Sequence, residues 1–173
     1  MDGLATRCGM VRNPFPSGNL AYRAAVLADS PSAYWRLNES SGSAVLDESG
    51  NGNNATYDGA TLNQSGIFAE NNAAKTSGSS NPLFEKSGFG DITSNDFTLE
   101  MWLYPTRNGS DRQPADSAFL AAKGFFSVNG WYLSRQYEEL AFVTSQTGDF
   151  QFSDSSSGSC PLNEWTHIAI TRS

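Results

Sequence analysis

Between Asp47 and Asn54 the chain sets Asp47, Glu48, Asn51, Asn53 and Asn54 within eight residues, interleaved with Gly50 and Gly52. Hard cations such as Ca²⁺ take six to eight oxygens at about 2.3–2.6 Å, from carboxylates, amides and backbone carbonyls. Asp47, Glu48, Asn51 and Asn54 are therefore candidate calcium ligands, with glycines free to turn carbonyls inward. The same residue types build tight turns without any metal, so a closed turn stands as the alternative.

Other chemistry is sparse. His167 is the only histidine. A nucleophilic triad needs a histidine beside a nucleophile and an orienting acid, whereas His167 falls in a strand that reads as core, which predicts a hydrogen-bonded structural role. Cys8 and Cys160 are the only cysteines and lie far apart. Two are too few for a disulfide framework, so free thiols are expected, with one pair as the alternative. Gly88-Phe89-Gly90 lacks the following helix that a nucleotide loop requires.

What must position these residues follows from composition. Of 173 residues, 38 % are apolar and 17 % charged, both below the usual globular shares. The balance lies in Ser, Asn, Thr and Gly, which suits short strands joined by polar turns and not a helical bundle. Aromatics at 12 % argue against disorder. A net charge of −7, with no basic cluster, argues against nucleic acid and anionic membrane surfaces as partners. No apolar run is long enough to span a bilayer. The start has no apolar segment of the secretory kind.

Three regions are expected. Residues 1–18, with Gly3, Gly9, Pro14, Pro16 and Gly18, read as an extended N-terminal arm. Residues 19–30 are a short helix lead-in, capped by Asn19 and stopped by Ser30-Pro31; Leu20, Ala24 and Leu27 share one face, with Arg23 opposite. Residues 31–173 read as β. Strands are predicted at Tyr34–Leu37, Ala55–Tyr57, Phe97–Tyr104, Ala118–Ala121, Gly130–Ser134, Leu140–Thr144 and Trp165–Thr171. Residues 71–81 read as a long loop. In the clearest strand Phe97, Leu99, Met101 and Leu103 share one face and Thr98, Glu100, Trp102 and Tyr104 the other.

Four segments in order resemble the LamG-like (concanavalin A-like) jelly-roll domains: Ala33-Tyr34-Trp35-Arg36-Leu37-Asn38-Glu39 with the Asp47–Thr56 turn cluster; Phe97–Pro105; Gly130-Trp131-Tyr132-Leu133; and Trp165–Thr171. The resemblance implies an all-β, concanavalin A-like jelly-roll β-sandwich, with Trp35, Trp102, Trp131 and Trp165 supplying large buried surfaces. Such domains normally continue for several strands past the last of these segments. The chain is therefore expected to continue beyond Ser173 or to be completed by another chain, since Ile168 and Ile170 would otherwise lie on an unpaired strand.

Relatives of this fold include glucanases that carry Glu-x-Asp-x-x-Glu on one strand. No such triplet occurs here, and Glu138 and Glu139 are adjacent, so a strand points them to opposite faces. No enzyme activity is expected, a glycoside hydrolase being the least favoured reading. The resemblance also implies calcium near the Asp47 loop, and glycan contact through exposed aromatics, with Trp102, Tyr104 and Tyr137 as candidates beside Phe125. The lead-in from Tyr22 to Leu37 is similar to that on LamG-like domains of bacteriophage tail and virion proteins. The expected role is a non-catalytic virion module, anchored by its arm, contacting other virion proteins, copies of itself (a homotrimer among the options) or a cell-surface glycan. The alternative is a carbohydrate-binding module of a secreted or cell-surface protein.

Overall fold

The structure, a computed structural model, describes residues 4–9, 18–76, 83–90, 96–106, 118–123, 130–136, 139–146, 149–154 and 160–172. In chain order the elements are β1 (Leu4–Gly9), α1 (Gly18–Ala28), β2 (Ala44–Val45), β3 (Ala55–Tyr57), β4 (Ala60–Ser65), β5 (Asn72–Thr76), β6 (Phe84–Glu85), β7 (Phe97–Leu103), β8 (Ala118–Lys123), β9 (Trp131–Gln136), β10 (Glu139–Gln146), β11 (Asp149–Asp154) and β12 (Thr166–Arg172). The architecture is the expected all-β jelly-roll sandwich with one short helix. The chain forms two compact units: Met1–Arg12 with Gly90–Ser173, and Asn13–Phe89.

The first unit is two antiparallel sheets, ordered β1-β12-β7 and β11-β10-β9-β8. Period-2 alternation supplies one core from both. Ile168 and Ile170 come from β12, and Trp131, Leu133, Leu140 and Phe142 from β9 and β10; Phe97, Leu99, Met101 and Leu103 of β7 pack against them. The inward face predicted for β7 is therefore the observed one. Phe97 and Phe142 meet across the layers with ring centroids 5.8 Å apart. Full burial of a side chain such as Ile168 or Leu133 contributes roughly 1.5–3 kcal/mol. Of the four tryptophans only Trp131 is buried, its Nε1–H donating to the Gly90 carbonyl at 2.8 Å; Trp35, Trp102 and Trp165 are half-buried. Cys160 is buried.

Leu4–Gly9 is a strand, antiparallel to β12 from Leu4↔Arg172 to Gly9↔His167. β12 thus has neighbours on both sides, and Ile168 and Ile170 are buried. Glycine tolerates a strand here because β1 lies at the sheet edge and pairs on one side only.

In the second unit, β2-β3-β6 make a small sheet and β4-β5 a hairpin. The helix matches its predicted span within two residues, but two expectations for it fail. It starts at Gly18, and the Asn19 side-chain oxygen accepts from Arg36 Nη2 instead of capping. Its covered face carries Tyr22, Arg23, Val26 and Leu27, while Leu20 and Ala24 are exposed. Arg23 faces inward because it pairs with Glu48, and Tyr22 packs on Phe68 at 5.9 Å. The predicted Tyr34–Leu37 strand shrinks to one bridge, Trp35↔Asp47; Leu37 at φ 56° leaves the extended path. Residues 72–76, predicted as loop, form β5 against β4.

Candidate functional site

The Asp47–Asn54 cluster forms the dense turn its composition predicts. Gly50 and Gly52 sit at φ 89° and 73°, a region that costs a side chain about 1–2 kcal/mol. Asp47 is the hub. Its Oδ1 accepts from the backbone N–H groups of Tyr34 and Ser49, both at 2.9 Å. Its Oδ2 accepts from Ser49 Oγ–H and the Asn53 N–H, both at 2.8 Å. Burial pushes the Asp47 carboxyl upward, but these donors outweigh it and hold the pKa at about 2, against an ordinary 3.8.

The side-chain oxygens of Asn54 and Glu48 are also engaged. Asn54 Oδ1 accepts from the Asp47 N–H at 2.9 Å. Glu48 Oε2 pairs with Arg23 Nε and Oε1 with Arg36 Nη1, the latter at 3.3 Å. Asn51 and Asn53 donate their amides to the Ser32 carbonyl, and Asn53 gives its own carbonyl to Trp35 Nε1–H at 2.7 Å. Four acceptor directions of a carboxylate are thus filled at Asp47. A cation needs several oxygens aimed at one point; here those of Asp47, Glu48 and Asn54 are aimed at N–H and O–H donors. The donor set does not fit calcium in this arrangement, and the cluster serves as a clasp holding the Trp35 segment.

A second concentration of chemistry lies on the outer face of β7 and β12. The register sets His167 opposite Trp102 and Ala169 opposite Glu100. His167 and Trp102 rings stand 4.9 Å apart, His167 Nε2 lies 3.4 Å from Glu100 Oε2, and Tyr104 and Trp165 pack at 5.4 Å. Tyr104 is 45 % exposed. The expectation of a core histidine is corrected: His167 is on the face opposite Ile168 and Ile170, half-buried against Trp102. Of the ligand-binding candidates, the structure brings Trp102 and Tyr104 to this face; Tyr137 and Phe125 lie outside the described residues. Sequence reading missed the Glu100–His167 contact. The signal was present, since alternation puts each residue on a face, but the β7–β12 register was needed to join them.

Residues 76–173, more than half of the chain, match the family described as the Concanavalin A-like lectin/glucanases superfamily. The chain belongs to this superfamily. No curated protein and no solved structure matches it. The superfamily match holds β6 to β12, hence every strand of the sandwich except β1. The Ala33–Thr56 segment, one of the four carrying the sequence resemblance, lies outside it. Glucanase chemistry in this superfamily fold calls for two carboxylates about 5–10 Å apart. The register neighbours of Glu100 on the outer face are Thr98, Trp102, Ala169, His167 and Thr171, none of them acidic.

Proposed function

We propose that this chain is a non-catalytic binding module of a bacteriophage tail or virion protein, and that it contacts a cell-surface glycan through the outer face of the β1-β12-β7 sheet. The carrying observation is the aromatic band of Trp102, His167, Tyr104 and Trp165 beside the Glu100 carboxylate. Aromatic rings offer apolar faces to sugar C–H groups, and a few polar groups beside them fix orientation. The absence of a second carboxylate among the register neighbours of Glu100 supports binding without turnover. The virion setting rests on the Tyr22–Leu37 lead-in. Anchoring through residues 1–18 is not carried forward, because Leu4–Gly9 is spent within the sheet.

A glycan array probed with the purified chain tests this. Binding to a defined set of glycans is expected, weakened about tenfold or more by Tyr104→Ala, with no release from chromogenic glycosides. A chain blind to every glycan, or one that hydrolyses them, overturns it. Electron microscopy of labelled particles tests the virion setting.

A further inference from the structure

We infer that the β4-β5 hairpin holds a second ligand site, a pocket for one neutral sugar ring or a similar polyol. It goes beyond the reading above, because it lies in the Asn13–Phe89 unit and uses none of the outer-face aromatics. The pairing of β4 with β5 is interrupted between Thr61 and Gln64, where Asn63 adopts φ 58°. A bulge of this kind re-aims side chains. Beside it opens a pocket of about 230 Å³ lined by residues of 63–66, 68–69 and 71–72, none of them charged. Phe68 is buried and supplies the apolar part of the wall. Gly66 keeps the turn tight: a Cβ there would stand 2.5 Å from the Asn71 carbonyl oxygen.

The amides lining the pocket are already oriented by one bond each. Asn71 Oδ1 accepts from Arg36 Nη2 at 3.1 Å, which leaves its NH₂ to donate. Asn72 Nδ2 donates to the Asn38 carbonyl at 3.3 Å, and Gln64 Nε2 to the Leu62 carbonyl at 3.0 Å; each leaves a side-chain oxygen to accept. Ser65 adds a hydroxyl that does both. One fixed donor, two fixed acceptors and a small apolar patch at Phe68 and Ala69 match vicinal hydroxyls, each of which donates and accepts. With no cation in the lining, a phosphate gains nothing, and with no carboxylate, neither does a metal. The volume lies below the roughly 300 Å³ at which drug-sized sites begin and suits a single ring.

Saturation-transfer NMR on the full chain, with methyl α-D-glucopyranoside, methyl α-D-galactopyranoside and N-acetyl-D-glucosamine as probes, tests the assignment. At least one probe is expected to receive saturation with a Kd on the order of millimolar. Measured in a Tyr104→Ala chain, so that the outer face does not contribute, the remaining transfer should be weakened about tenfold or more by Ala69→Trp, which fills the pocket from an exposed position. If Ala69→Trp does not fold, Gln64→Leu is read in its place, with the same loss expected. Transfer to none of the probes, or a signal lost with Tyr104→Ala and kept with the pocket variants, overturns the pocket. The second of these outcomes leaves the outer-face reading standing.

Discussion

Trp102 and His167 stand directly opposite one another in the β7–β12 register, ring centroids 4.9 Å apart, with the Glu100 carboxylate 3.4 Å from the imidazole. Trp102 is half-buried in this contact, whereas Tyr104 is 45 % exposed. The two aromatics should separate when truncated. Trp102→Ala is expected to cost about 1–2 kcal/mol in urea unfolding, through the lost ring contact and partial burial. Tyr104→Ala should stay within about 0.5 kcal/mol of wild type, so its effect on binding can be read without a folding correction.

Asp47 sets an acid limb on stability. A carboxyl whose folded pKa is depressed contributes stability that is complete above its unfolded value and is lost as pH falls through the folded one. With 3.8 and about 2 as those values, the loss runs from just above pH 4 down to pH 2. Asp47→Asn should lower stability at pH 7 by about 1–3 kcal/mol and flatten this limb. Urea midpoints measured across the range check both.

Calcium should leave the same turn unmoved. Melting temperatures in calcium chloride and in a chelator are expected to coincide, because the Asp47 oxygens already accept four hydrogen bonds. A rise of several degrees with calcium would show that the clasp opens to take a cation.

Two glycines should fail for different reasons. At Gly66 a methyl group meets backbone oxygens of Asn71 and Asn72 at 2.5 and 3.0 Å, so Gly66→Ala should cost about 1–3 kcal/mol and speed amide exchange across 60–76. Around Gly50 nothing lies within 4 Å, but φ is +89°. Gly50→Ala should cost about 1 kcal/mol through backbone strain alone, with exchange in the hairpin unchanged.

Deleting residues 1–9 removes the cover from one edge of β12. The shortened chain is expected to lose about 2 kcal/mol or more and to aggregate on warming, as bared edges do. Calorimetry with light scattering reads both.

The sandwich was legible where alternation is strong. Phe97, Leu99, Met101 and Leu103 announce an inward face, and the structure places all four against the core. The strand at Leu4–Gly9 was not legible, because its glycine-bearing sequence forms a strand only when β12 is present to pair with it. Arg23 misled for a related reason. Periodicity reads a charge as outward, and only the Glu48 contact brings it in. In the 47–54 cluster the residue types fitted both a cation cage and a closed turn. The choice depended on where each lone pair points, which composition does not encode.

The pairing of Leu4 with Arg172 also bears on how the molecule is made. Once made, Leu4–Gly9 finds its neighbour only after more than 150 further residues have been synthesised, a delay of roughly ten to thirty seconds at ordinary elongation rates. During that interval the nascent sandwich has neither β1 nor β12 in place, so its closure is a late, long-range event. Expression at lower temperature, or with chaperones in excess, should therefore raise the yield of native protein more than any change at the surface.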